Sequence, residues 1–286
     1  MKKLFAIIVS VVMVFASMTL FACDSTFSGN YKEATAEETQ TFVNKVMEAQ
    51  ASNPALGIIA GMDLETKIIV SGKEDGKDVD ATIKAEAKST VTEDKAFNLS
   101  AKAEISATGN KMIEAYNGKY EVYAAGGKVY LKMAQDNKDE IKISMDMKLD
   151  DILGMANMDS VGYMTGGMDL DIDEYFEYLE DIKSTQEYFG ADAIKFYLDS
   201  KDGSHKLKIE FNVVNKADID ELKGELYLAF DENYAFKGIK ADLSLKEDDV
   251  KAEIFVSLKS YDGSVKLPSE SELEKYTSGN LFGLFA

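Results

Sequence analysis

The chain has 286 residues, 51 of them acidic and 32 basic, for a net charge of −19. Every basic residue other than the one histidine is lysine, tryptophan is absent, and Cys23 is the single cysteine. A chain this acidic lacks the basic footprint that nucleic acid requires and is repelled by anionic lipid surfaces; with one cysteine it has no internal disulfide, so its body must rely on a hydrophobic core, which a chain of this length can supply.

Residues 1–22 read as an export signal. Lys2 and Lys3 form a positive start, Leu4 to Leu20 an uncharged apolar run, and the small Ala22 precedes Cys23. The apolar run is at the short end for a membrane-spanning helix; a retained helix and an ordinary cleaved signal are the alternatives. The string Leu20-Phe21-Ala22-Cys23 resembles the lipobox of bacterial lipoproteins, with Phe21 bulkier than the residue usual there. That resemblance implies cleavage before Cys23 and a diacylglyceryl group on its thiol. The membrane is then a partner through the N-terminal lipid, and the body lies on the outer face of the bacterial cytoplasmic membrane. Each buried methylene contributes about 0.8 kcal/mol, so two acyl chains anchor stably. Residues 23–34 are expected to be the lipidated cysteine and a flexible tether that lets the body stand off.

Thr35 and Glu38 have the spacing of a capping box, which predicts a helix carrying Phe42, Val43, Val46, Met47 and Gln50 and ending at Asn53-Pro54. The period then changes to two. Val79, Ala81, Ile83, Ala85 and Ala87 alternate with polar residues, as do Phe97, Leu99, Ala101, Ala103 and Ile105, which predicts a long hairpin. Further strands are expected over 62–71, 111–116, 119–125, 128–134, 139–147, 193–200, 205–214, 224–231, 236–246 and 249–260. Turn pairs such as Asn117-Gly118, Gly126-Gly127 and Asp202-Gly203 punctuate them. Short helices are expected over 149–158 and after Pro268, and a longer one over 171–189 with Phe176 on its apolar side.

Strands this long joined by short turns imply one large antiparallel sheet, which must curl because strands twist. The expected fold is mostly β (α+β): a large curved antiparallel sheet forming an incomplete barrel, with helices covering its concave face. It forms a single domain over 35–278, followed by an apolar tail, 279–286, of unassigned place. The string Tyr116-Asn-Gly-Lys-Tyr-Glu-Val-Tyr123 followed by Gly126-Gly-Lys-Val-Tyr-Leu131, the closing Lys266-Leu-Pro-Ser-Glu-Ser-Glu-Leu273, the N-terminal helix and the midway helical insertion together resemble the LolA/LppX-like group of exported lipid-binding proteins. The resemblance covers about 33–277 and rests on layout. It implies an incomplete barrel with an apolar cavity, non-covalent binding or transfer of a lipid or other apolar ligand, and no catalytic residues.

Two groups are candidates for ligand contact. Ala85, Ala101 and Ala103 are small for the inward face of a large sheet; they leave either a hollow or room for a close-packed helix. Met145, Met147, Met155, Met158, Met164 and Met168 crowd one glycine-rich region, and methionine suits adaptable apolar surfaces. They read either as a movable cover over a cavity, with Phe176 beside it, or as ordinary core filling. The acidic run Asp169-Leu-Asp171-Ile-Asp173-Glu174 lacks the glycine that a calcium loop needs at its sixth position and suits a helix N-terminus better. His205 stands at a turn with no nucleophile or ligand set around it. Neither an enzyme activity nor a metal or cofactor is expected, and the oligomeric state is left open. The rival reading is a cell-surface interaction or structural lipoprotein with a filled core and no ligand.

Overall fold

The computed structural model describes residues 26–52, 61–74, 77–91, 97–146, 182–201, 203–216, 219–261 and 263–279. Cys23, the signal, the segment around Met147, Met155, Met158, Met164, Met168 and Phe176, the acidic run and the end of the apolar tail lie outside the described residues.

The chain is mostly β. The short strand β1 (Lys32–Ala34) precedes helix α1 (Ala36–Ser52); a meander then runs through β2 (Met62–Glu74), β3 (Lys77–Val91), β4 (Phe97–Thr108), β5 (Gly118–Ala125), β6 (Lys128–Gln135) and β7 (Ile141–Asp146). The single-turn helix α2 (Lys111–Glu114) sits between β4 and β5. After α3 (Ile182–Phe189), a second meander follows: β8 (Ile194–Lys201), β9 (Ser204–Lys216), β10 (Ile219–Asp231), β11 (Phe236–Glu247) and β12 (Val250–Ser260). The single-turn helix α4 (Glu270–Leu273) and strand β13 (Thr277–Ser278) complete the described chain.

The 13 described strands form one sheet in the order β1-β8-β9-β10-β11-β12-β2-β3-β4-β5-β6-β7-β13. The two meanders join where β12 pairs with β2, as in Ile254 opposite Ile68 and Leu258 opposite Leu64. The ends do not pair, so the sheet is open, which fits a curved incomplete barrel. Alternation holds along the strands apart from a bulge between β10 and β11 at Ala229 and Phe230, because a one-residue slip would turn every side chain to the other face. Hairpins lock that register: β5 and β6 are joined by Gly126 and Gly127 with φ of 57° and 75°, the left-handed pair that a tight hairpin requires.

Local signals explain the helix starts. Glu38 Oε2 accepts from the Thr35 backbone N–H at 2.8 Å, and the Glu38 N–H donates back to Thr35 Oγ1 at 3.2 Å. Ser269 and Glu272 repeat the device at α4, with the Ser269 N–H donating to Glu272 Oε2 at 3.1 Å. The strand expected over 111–116 is instead α2 and its flank. Asn110 Oδ1 accepts from the Ile113 N–H at 3.3 Å, and Glu114 Oε1 accepts from the Gly109 N–H at 2.6 Å. These side-chain bonds offer the backbone a turn in place of a ladder.

The described helices gather at one end of the sheet. The Phe42 ring of α1 meets Phe230 edge-on at 5.5 Å and Tyr234 at 5.7 Å. Gln40 Oε1 accepts from the Ile182 N–H of α3 at 3.0 Å. Met47 falls off the buried stripe and is exposed. Beneath the helices the apolar face of β8–β12 forms the core, with Ala241 and Leu258 fully buried and Val256 and Ile239 each 1% exposed.

The stretch expected to be a free tether is packed on the sheet from Thr26 onward. Thr26 is buried, the Asn30 N–H donates to Asp199 Oδ2 at 2.9 Å, and Tyr31 meets Tyr227 edge-on at 5.7 Å. Burial first, and then Tyr227 and Asp199, raise the Tyr31 phenol well above its ordinary pKa. On the same polar face Glu225 accepts from Tyr227 Oη at 2.5 Å and pairs with Lys208 at 2.5 Å. The Lys208 bond first, then the Tyr227 bond, hold the Glu225 carboxyl below the ordinary carboxylate range.

Candidate functional site

The two faces of the sheet differ in kind. The polar face carries cross-strand pairs of opposite charge, for example Lys102–Glu86 at 3.5 Å and Lys119–Glu104 at 3.7 Å. Exposed pairs of this sort add little stability but keep the face wet. The other face is apolar from β8 to β7, and along it burial changes sharply. The core cluster takes in β8–β12, α1 and α3, gains partly buried Met62, Leu64, Ile68 and Val70 of β2, and stops there.

Beyond β2 the same face continues without a second layer among the described residues. Ile83 lies opposite Ile105, Ala85 opposite Ala103, and Ala87 opposite Ala101. Val122 and Tyr120 of β5 follow, opposite Leu131 and Met133 of β6, and these face Ile143 and Ile141 of β7. Most of these side chains are partly exposed; Ala81, Ala87, Ala107 and Ala124 are buried. The result is a floor of alanine at β3–β4, walled by larger aliphatics at β5–β7. Ser89 closes one end, fully buried and bonded through Oγ to the Met62 N–H at 3.3 Å.

Of the sequence candidates, Ala85, Ala101, Ala103 and Met145 come together on this face. Among the described residues α1 and α3 pack with the core of β8–β12 and β2, and apart from α2 directly after β4 no described helix packs extensively on β3–β7. The flanking Ile105, Val122, Leu131 and Ile143 were not singled out; their signal was strand register, which puts them in line with the alanines. Met147, Met155, Met158, Met164, Met168 and Phe176 lie outside the described residues. His205 stacks on Tyr234 at 3.9 Å between ring centres and contacts Ser200 Oγ at 3.1 Å, a packing role at the helical end of the sheet. Among the described residues no group of three or more His, Cys, Asp and Glu side chains could hold a metal ion, and no helix is long and apolar enough to cross a membrane.

No family model and no curated protein matches the chain. Among solved structures it is similar to a DUF1329 family protein from Desulfovibrio piger, at 12% identity and a TM-score of 0.25, covering 84% of this chain and 97% of that one. It is also similar to a β-barrel-like protein of the domain of unknown function DUF1849 from Brucella abortus, at 9% identity and a TM-score of 0.17, covering 72% of this chain and all of that one. TM-scores this low leave the architecture to be read from its own strand order.

Proposed function

We propose that this chain is an exported bacterial lipoprotein, lipidated on Cys23 and held on the outer face of the cytoplasmic membrane, that binds or transfers a lipid or similar apolar ligand in the manner of the LolA/LppX-like group. The observation that supports this reading is the apolar face of β3–β7, a continuation of the core surface that the core formed by the described residues does not reach. An acyl chain laid along Ala85, Ala103, Val122 and Leu131 would remove apolar area from water at about 25 cal/mol per Å². The alanines give depth, the aliphatics of β5–β7 give a wall, and no polar group within the floor needs a partner. No reacting group is required, so affinity follows from shape and area.

Native mass spectrometry of the purified chain, followed by lipid extraction, tests the binding reading. Wild type should carry lipid that is lost on denaturation. Val122→Asp and Leu131→Asp, at partly exposed positions, should fold by circular dichroism yet carry none. If lipids of several chain lengths all fail to bind the wild type, the rival interaction protein with a filled core replaces this reading. Labelling with a radioactive fatty acid should mark the wild type but not Cys23→Ser; a label retained by that variant would refute the anchor.

A further inference from the structure

The polar face carries a second concavity. After β12 the chain crosses that face: Tyr261 lies under Lys88 of β3, whose Nζ is 4.8 Å from the ring centre. Tyr276 packs edge-on to Tyr130 of β6 at 5.4 Å. β13 then pairs in parallel with β7, Thr277 opposite Ile143. Between this strap and β4–β7 lies a cleft of about 300 Å³, at the lower end of the range for small-molecule sites.

Its lining inverts the charge of the molecule. Lys102, Lys132, Lys142, Lys266 and Lys275 converge on the cleft against two carboxylates, Glu121 and Glu272, in a chain whose net charge is −19. Both carboxylates are already engaged. Glu121 accepts from Tyr123 Oη at 2.5 Å and from Lys132 Nζ at 2.9 Å; Glu272 accepts from the Ser269 N–H and Oγ, each at 3.1 Å. At the rim Glu140 sits 2.6 Å from Lys142 and 3.6 Å from Lys132. Lys266 and Lys275 make no ion pair within 4 Å among the described residues, and Lys102 pairs at that distance with the exposed Glu86 at 3.5 Å, while the charges of Lys102 and Lys275 also reach Glu121 and Glu272.

We propose that this cleft binds a compact dianionic oxyanion of the phosphate class, held between Lys102 on the sheet and Lys266 and Lys275 on the strap. Lysine ammonium groups act as point charges toward phosphate, and a dianion can face several at once where a monocarboxylate meets one or two. Screening within about 8–10 Å shields the site from the acidic remainder of the surface. It lies on the opposite face from the proposed lipid floor and does not depend on it.

Calorimetric titration of the full chain in neutral detergent with inorganic phosphate is the test. Saturable binding is expected, weakening with added salt. Lys266→Ala and Lys275→Ala should each lower the affinity about tenfold, the loss of one charged hydrogen bond. Lys223→Ala, on the same face but distant along the sheet, should leave it unchanged. Both strap positions are exposed, so unchanged melting temperatures are expected and would separate lost binding from lost fold. A short-chain phosphatidic acid in the same micelles distinguishes sources: tighter binding than phosphate, lost in the same variants, means a lipid headgroup; equal or weaker binding means a free phosphate compound. No saturable heat with phosphate, or binding that a variant carrying both Lys266→Ala and Lys275→Ala retains, overturns the proposal.

Discussion

Two leucines on the same apolar face of the same sheet should respond very differently to truncation. Leu258 of β12 is fully buried, lying between Ile239 of β11 and Leu64 of β2. Leu131 of β6 lies between Val122 and Ile143 but is partly exposed. Leu258→Ala loses the transfer energy of the removed atoms and leaves a void that a closed layer cannot fill, together about 2–5 kcal/mol. Leu131→Ala loses part of the transfer energy and leaves no closed void, because water already reaches the site; about 1–2 kcal/mol follows from a side chain largely but not fully removed from water. For a domain of about 250 residues each kcal/mol moves the melting temperature by about 2–4 °C. Leu258→Ala should therefore melt roughly 4–20 °C below wild type and Leu131→Ala roughly 2–8 °C below, in thermal scans of lipid-stripped protein. Saturating apolar ligand should then stabilise the wild type, by about 2.7 kcal/mol at a hundredfold excess over Kd, and Leu131→Ala less. Equal losses for the two variants in stripped protein would mean that the face over β6 is as well packed as the core, and the argument for an open apolar floor would fail.

Two further outcomes rest on single residues. Gly224 of β10 has φ of 131°, and a Cβ there would strike the Asp242 carbonyl and sit 2.9 Å from Leu243 Cα. Gly224→Ala should destabilise by about 1–3 kcal/mol in urea titration, and a neutral result would refute the strain argument. The Glu225 carboxyl, held below its ordinary value of 4.5 by Lys208 and Tyr227, binds protons less readily folded than unfolded. Its contribution is present above the unfolded pKa and disappears as pH falls through the folded one. Wild type should therefore lose stability over Glu225→Gln as pH drops below about 4.5, measured as converging denaturation midpoints; parallel curves would exclude the residue as a source of acid sensitivity.

Much of the sheet was legible because alternation is a local property with a global consequence. The runs from Ala81 to Ala87 and from Ala252 to Leu258 state both their period and their inward face, and the glycine pair 126–127 states a hairpin. What stayed hidden depends on contacts distant in sequence. That β12 neighbours β2, joining two meanders through the middle, is carried by no local string. β1 and β13, of three and two residues, are too short to show a period; only the long-range partners β8 and β7 make them strands. At 111–116 alternation misled, because Asn110 and Glu114 cap a turn. The alanines at 85, 101 and 103 pointed to the right face, yet their small size says only that space is left, and what takes it is set by elements elsewhere in the chain. The lysine cleft was illegible for the same reason: Lys102, Lys142 and Lys275 become neighbours only when the strap crosses the sheet.

The packing of residues 26–34 changes what the proposed anchor would do. With Thr26 buried and Asn30 and Tyr31 fixed to β8 and β10, only Asp24 and Ser25 separate Cys23 from the folded body. A fully extended spacer from Cys23 to Thr26 reaches about 10 Å, so a lipid on Cys23 would hold the body directly against the membrane, and the acidic surface would face the headgroups at close range. Close approach on so short a link restricts rotation of the body on the membrane. A protease site inserted between Ser25 and Thr26 should thus be cut slowly on vesicle-bound protein and readily when a long Gly-Ser spacer flanks it. Equal cutting of the two forms would show that the body stands free of the membrane and that 26–34 releases from the sheet once the anchor is in place.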